Sequence, residues 1–292
     1  MILPGSTALT GALGQRTDGI VTNADLGIDA DCEGLIGNFI PTAGIETQYW
    51  ENQADVGACS IGNIRRFNGI GHSTTDPDHF LLDGTNDYLG KSSDNYGGSD
   101  LLALGGGSGE YGTYSLCQWF KYNNVNHHIF YVGSGVQVSS GVVAQYHAYI
   151  LLEVLTSNDQ CKLTVRPAYN GDASRISTAT FDSFTFVDDT WYYVALTHDG
   201  ADLYSVYVNG GFIGSLTSTY ALAYGSENVV ECGAKNIDNT KAYSGAGTKI
   251  GHVHVYNIGD VVCALTASQV RQNFLATHDM HDARLYGGTY QA

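Results

Sequence analysis

Charge is scarce in this chain, and basic charge is scarcest. Only 14% of the 292 residues are Asp, Glu, Lys or Arg, against roughly 25% in an average soluble domain. Thirteen Lys and Arg face 29 Asp and Glu, a formal charge of −16 at pH 7. A nucleic-acid binder needs clustered cations to displace counterions from phosphates, and the only adjacent basic pair here is Arg65-Arg66. The same deficit excludes docking on an anionic membrane surface. Long apolar runs are missing too: Ala148 to Leu152 is among the longest, far short of a bilayer span. Cysteine is sparse, at positions 32, 59, 117, 161, 232 and 263, and never Cys-x-x-Cys, which excludes a zinc ribbon or a thioredoxin-type motif. Cys117, Cys161 and Cys263 lie in apolar runs and read as buried free thiols. Met1 is followed by neither a basic stretch nor an apolar one, so no export signal is expected.

What the chain does have is glycine, tyrosine and short apolar runs: 37 Gly, 20 Tyr and 43% hydrophobic residues. That mixture suits pleated strands joined by tight turns and argues against a helical bundle. Residues 1 to about 66 read as loop-rich. Strands are expected at Tyr114–Tyr122, His127–Val132, Gln145–Leu155, Cys161–Arg166, Phe181–Val187 and Trp191–Thr197. Leu203–Val208, then Asn209-Gly210-Gly211, then Phe212–Leu216 is a hairpin pattern, because Asn-Gly accepts the positive φ angles of the turn. Regular short strands of this kind make an antiparallel sandwich or barrel. One helix is expected at roughly 266–276, opened by the capping box Thr266-Ala-Ser-Gln269. Nothing breaks composition or repeats, so 1–292 reads as one domain with an N-terminal arm (1–20) and a C-terminal tail (278–292).

Few residues are spaced for chemistry. Asp29-Ala-Asp31-Cys-Glu33 would aim three carboxyls at one face of a strand, as glycoside cleavage requires. Gly34 breaks that strand, however, and a solvated acidic loop is the preferred reading. His252 and His254 share a strand face but have no third ligand nearby; they read as surface histidines, and no metal site is expected. His278 and His281 belong to the tail. No Gly-x-Ser-x-Gly or phosphate loop is present, since Gly105-Gly-Gly-Ser-Gly109 lacks the following Lys-Ser/Thr. No catalytic residues are assigned and no enzymatic activity is expected.

A family likeness emerges from motifs in order. Phe80-Leu-Leu-Asp-Gly-Thr-Asn-Asp-Tyr88 resembles the "FDGTNDY" strand of laminin-G-like, concanavalin A-like jelly rolls. Asp189-Thr-Trp-Tyr-Tyr-Val-Ala-Leu-Thr-His-Asp-Gly200 with Leu203 to Gly210 is similar to that family's central hairpin. Ile250–Asn257 and Leu265–Phe274 resemble its closing strand and helix. The likeness covers about 80–280. It implies an all-β, antiparallel two-sheet jelly-roll sandwich with one short C-terminal helix. Related sandwiches carry a calcium-binding Asp at the start of the closing strand. The matching residue here is Gly251, so no cofactor is expected; calcium is allowed, but no residue supports it.

The front segment narrows the likeness. Asp18-Gly-Ile-Val, Ile28-Asp-Ala30, Trp50-Glu-Asn and Asn68-Gly-Ile resemble the opening of phage-type members. That implies a non-enzymatic virion structural protein, either capsid decoration or a tail or fibre appendage. Its partners would be other virion proteins, its place the virion surface, with self-association into a homo-oligomer allowed. The alternative is a carbohydrate-binding module that reads host glycans through rim aromatics such as Tyr96 and Tyr111. A laminarinase-type hydrolase ranks third.

Overall fold

A computed structural model describes residues 20, 22, 34–41, 49–54, 63–74, 78–91, 113–134, 149–166, 176–200, 202–218, 228–237, 240–257 and 264–282. The strands open with β1 (Gly34–Phe39), β2 (Tyr49–Trp50), β3 (Ile64–Phe67), β4 (Gly71–Ser73), β5 (His79–Leu81) and β6 (Tyr88–Lys91). The middle third holds β7 (Tyr114–Tyr122), β8 (His127–Ser134), β9 (Tyr149–Leu155), β10 (Gln160–Arg166), β11 (Ser177–Phe181) and β12 (Thr190–His198). Then follow β13 (Leu203–Val208), β14 (Gly211–Thr217), β15 (Asn228–Cys232), β16 (Ala234–Ile237), β17 (Thr240–Tyr243), β18 (Lys249–Asn257) and the helix α1 (Ala267–Asp282).

Two eight-stranded sheets result. The first runs β14-β13-β12-β7-β18-β5-β4, with β1 also on β18; the second runs β11-β10-β9-β8-β15-β6-β3-β2. Every pairing between them is antiparallel. Between the sheets lies the main core, in which Phe80, Phe120, Phe130, Leu152, Leu163, Val194 and Val253 are buried. The expected two-sheet sandwich is therefore present. The Asn209-Gly210 turn has positive φ at both residues, 50° and 76°, as the hairpin geometry requires. Asn209 also locks the turn to β12, accepting from the Tyr193 amide at 3.0 Å.

The helix closes the outer face of the first sheet. Its capping box is formed: the Thr266 amide donates to Gln269 Oε1 at 2.8 Å, and the Gln269 amide to Thr266 Oγ1 at 3.3 Å. Val270 and Phe274 pack on Trp119, Trp191 and Tyr193, and Trp119 Nε1 donates to Thr277 Oγ1 at 2.7 Å. This second apolar layer explains why β7 and β12 are buried on both faces. The helix continues to Asp282, so residues 278–282, expected in the tail, are helical. No glycine or proline interrupts 277–282, so nothing stops the helix at 276.

Three more expectations change. The loop-rich front contributes strands β1, β2 and β3, and Gly34 begins a strand instead of ending one. Phe181–Val187 is not a strand beyond Phe181. Its aromatics instead plug the core from a non-strand segment: Phe186 is buried, Phe184 packs beside it, and the Phe186 amide donates to Asp159 O. His252 and His254 are buried, not on the surface. Val253 and Val255 of β18 face the main core, so His252 and His254 face the other side, where Cys117 and Tyr256 belong to the apolar layer beneath α1.

Candidate functional site

α1 covers β7 and β12 on the first sheet's outer face, and the outer face of the second sheet gathers half-buried aromatic and charged side chains. Period-2 alternation sorts its residues. On β3, Ile64 enters the core while Arg65 and Phe67 face outward; on β6, Leu89 is core and Tyr88 faces outward. The register sets Phe67 opposite Tyr88 and Arg65 opposite Gly90, and Gly90 in turn opposite Glu231 on β15. A second row continues through Tyr131 on β8 and Leu151 on β9.

The Phe67 and Tyr88 rings stack in parallel, with centroids 4.2 Å apart and planes within 5°. Tyr243 of β17 lies 6.1 Å from Tyr88. All three are half-buried. Gly90 eases the arrangement: a Cβ there would stand 3.2 Å from Tyr88 Cε2, and the ring would have to shift by a few tenths of an ångström.

Over this face sits the ribbon β16–β17, pinned by two ion pairs. Lys241 Nζ is 2.6 Å from Glu231 Oε1 and 3.3 Å from the centroid of Tyr88. Lys235 Nζ is 2.9 Å from Glu153 Oε2 on β9, and His128 Nδ1 lies 3.2 Å from the same oxygen. Burial pushes Glu231 up, only partly opposed by Lys241, and pushes Lys241 down. Burial works against ionised Glu153 too, but its bonds to His128 and Lys235 win and bring it to about 2. Glu153 is thus a fixed anion, bonded to His128 and Lys235. Arg65 completes the patch, its guanidinium 4.9 Å from the centroid of Phe67.

A separate open cleft of about 450 Å³ borders the Asp83–Asp87 loop, lined among others by Asn68, Leu81 and Gly247. Asp83 Oδ1 accepts from the Thr85 and Asn86 amides and Asp87 Oδ2 from the Asp83 amide. These carboxylates shape the loop.

The residues expected to carry chemistry are elsewhere. Tyr96 and Tyr111, like Asp29, Asp31 and Glu33, lie outside the described residues. His252 and His254 stack at 5.9 Å, and burial with little else lowers them to about 3 and about 4, so both are neutral. Among the described residues no three His, Cys, Asp or Glu side chains group as metal ligands. Gly251 is buried inside β18. Cys263 lies outside the described residues, while Cys117, Cys161 and Cys232 are buried free thiols. Arg65, Phe67, Glu231, Lys241 and Tyr243 were not singled out as site residues by sequence reasoning; the one available signal was the isolated Arg65-Arg66 pair in an acidic chain.

Residues 96–271 match the family model described as the concanavalin A-like lectin/glucanases superfamily. The chain belongs to that superfamily. No curated protein matches the chain in sequence. Among solved structures, domain 4 of an extracellular arabinanase from Geobacillus stearothermophilus is similar at 14% identity and TM-score 0.53, over 82% of this chain and 98% of that one. A Trypanosoma rangeli sialidase is similar at 17% identity and TM-score 0.52, over 86% of this chain and 34% of that one. The binding domain of botulinum neurotoxin serotype D follows at 11% and 0.53, over 82% and 50%. The chain thus spans the whole arabinanase domain, but a third of the sialidase and half of the neurotoxin binding domain. Identities this low speak for a shared lectin-like jelly roll and nothing finer.

Proposed function

We propose that this superfamily member is a non-catalytic, glycan-binding jelly roll displayed on a phage particle, with the outer face of its second sheet as the sugar-binding surface. The observation that carries the binding reading is the half-exposed row Phe67, Tyr88 and Tyr243, set between Arg65 and Lys241. Phe67 and Tyr88 stack on each other and Lys241 lies over Tyr88, so the half-exposed rings offer apolar edges to the C–H side of a pyranose, while neighbouring charged groups bond its hydroxyls. On the first sheet α1 covers Trp119, Trp191 and Tyr193, and Phe212 on β14 stands exposed beside Tyr207. The arabinanase domain was solved with arabinotriose; that analogy of fold agrees with a sugar ligand, and the argument rests on the residues.

The non-catalytic part rests on the carboxylates. Glycoside cleavage needs an acid and a base with opposed affinities for protons, free to reach substrate. Glu153 is tied to Lys235 and His128, and Glu231 to Lys241. Release of reducing sugar from laminarin or agar would refute it.

Placement on a virion rests on the phage-like opening around Asp18 to Ala30, and on an acidic surface suited to the exterior of a particle instead of its packaged DNA. Capsid decoration is the proposed position, a tail or fibre appendage the alternative. Mass spectrometry of purified particles tests it: the chain is expected among the virion proteins, and its absence there refutes the placement. For binding, a glycan array is the direct test. Signal lost in Tyr88→Ala supports the face named here, and a blank array for the wild-type chain refutes it.

A further inference from the structure

We infer that the glycan taken by this face is acidic, a sugar bearing a carboxylate held by Arg65. This narrows the glycan-binding reading above and depends on it.

With 13 Lys and Arg against 29 Asp and Glu, a cation on this surface should have a carboxylate beside it. Lys241 has Glu231, Lys235 has Glu153, and Lys121 has Asp189. Arg66, one residue along, turns inward, where it donates to Ile70 O at 2.7 Å and lies over Phe80. Arg65 is different. It faces outward by strand alternation, it is half-buried, and among the described residues no carboxylate pairs with it.

Glu231 is the acid nearest in register, and one of its oxygens is already committed to Lys241. One strand, carrying Gly90, separates it from Arg65, which puts their Cα atoms roughly 10 Å apart. Its Oε1 is held by Lys241, which lies over Tyr88. Gly90 between them is buried, and the Tyr88 ring and Glu231 Cγ close over it, 3.2 and 3.3 Å from where a Cβ would stand. An Arg fork beside a stacked pair of aromatics offers two things together. The guanidinium presents parallel donors that match a carboxylate in two bonds, and the rings accept the apolar side of the sugar that carries it.

Specificity follows from desolvation. A neutral glycan lying across Phe67 and Tyr88 would strip water from Arg65 and give back no charge, which is unfavourable. A carboxylated one replaces that water with a charge-assisted pair. The chemistry is shared by uronic acids and by sialic acids, and the test separates them.

The experiment is isothermal titration of the full chain with oligogalacturonate and with sialyllactose, each beside its own methyl ester. Esterification removes the charge and leaves the sugar intact. At least one acid is expected to bind roughly 10- to 100-fold more tightly than its ester, and the arm that responds names the sugar class. Arg65→Gln should collapse that ratio, Arg65→Lys should keep part of it, and Tyr88→Ala should weaken acid and ester alike. Equal affinity of acid and ester for the wild-type chain overturns the inference, as does a preference that survives in folded Arg65→Gln; glycan binding itself then stands. If neither acids, esters nor a panel of neutral glycans bind, the inference and the glycan-binding reading fall together.

Discussion

Acid should unfold this protein well above the pH at which carboxylates titrate, and three buried histidines are the reason. His127, His252 and His254 are 1%, 3% and 0% exposed, and burial brings them down to about 3, about 3 and about 4. His127 also feels His128, and His252 feels His254. Both ring nitrogens of His127 and of His254 lack hydrogen-bond partners, so nothing in the fold rewards their protonation. The unfolded chain takes up these protons near pH 6.5, and the native chain does not. Stability from each histidine is therefore complete above that value and falls as pH drops toward the native one. The loss approaches about 1.4 kcal/mol per pH unit per histidine, or about 6 kcal/mol for all three between pH 7.5 and 5. A domain stability of about 5–15 kcal/mol would lose much of itself over that interval. Glu231 and Asp87, raised chiefly by burial, work the other way and return part of the loss by binding protons in the native state. Glu153, held at about 2, contributes above its unfolded value and is lost only below it, outside this window. Urea unfolding followed by tryptophan fluorescence at pH 7.5, 6.0 and 5.0 measures the effect, and His254→Gln should remove about a third of the histidine slope. A urea midpoint unchanged between pH 7.5 and 5.0, or an unaltered slope in His254→Gln, would refute the reasoning.

Three other outcomes are expected. Lys235→Ala leaves buried Glu153 with only His128, and chemical denaturation should show a loss of about 3 kcal/mol, while Lys235→Met with Glu153→Met recovers most of it. Thr266→Ala removes the capping hydroxyl of α1 and should cost about 1 kcal/mol by the same assay. Cys117, pushed up to about 12 chiefly by burial, and Cys161 and Cys232, raised further by the same cause, should resist thiol reagents in the native protein. Site-resolved mass spectrometry should find these three modified only after unfolding.

The central strands were legible because their patterns are long and their turns specific. Tyr114–Tyr122 and Leu203–Val208 coincide with β7 and β13, and Asn209-Gly210 fixes the hairpin after β13 by its φ angles alone. The helix start was legible from two side chains, its end was not. Short strands with glycine, such as Gly34–Phe39, carry too little alternation to be read locally. They form because β18 offers them an edge. Phe181–Val187 has strand-like composition, yet its phenylalanines are wanted in the core from a crossing segment, and tertiary demand overrides propensity. The candidate site was least legible. Arg65, Tyr88, Glu231 and Lys241 are far apart in the chain, and only sheet register and the β16–β17 ribbon bring them together. Neither leaves a spacing motif.

The central claim is that glycan binds on the outer face of the second sheet. Hydrogen–deuterium exchange of the full chain, with and without the tightest glycan from the array, tests it most directly. Protection is expected in peptides covering 63–67, 88–91 and 240–243, with 267–282 unchanged. Protection confined to other peptides, or none at saturating ligand, would contradict the account.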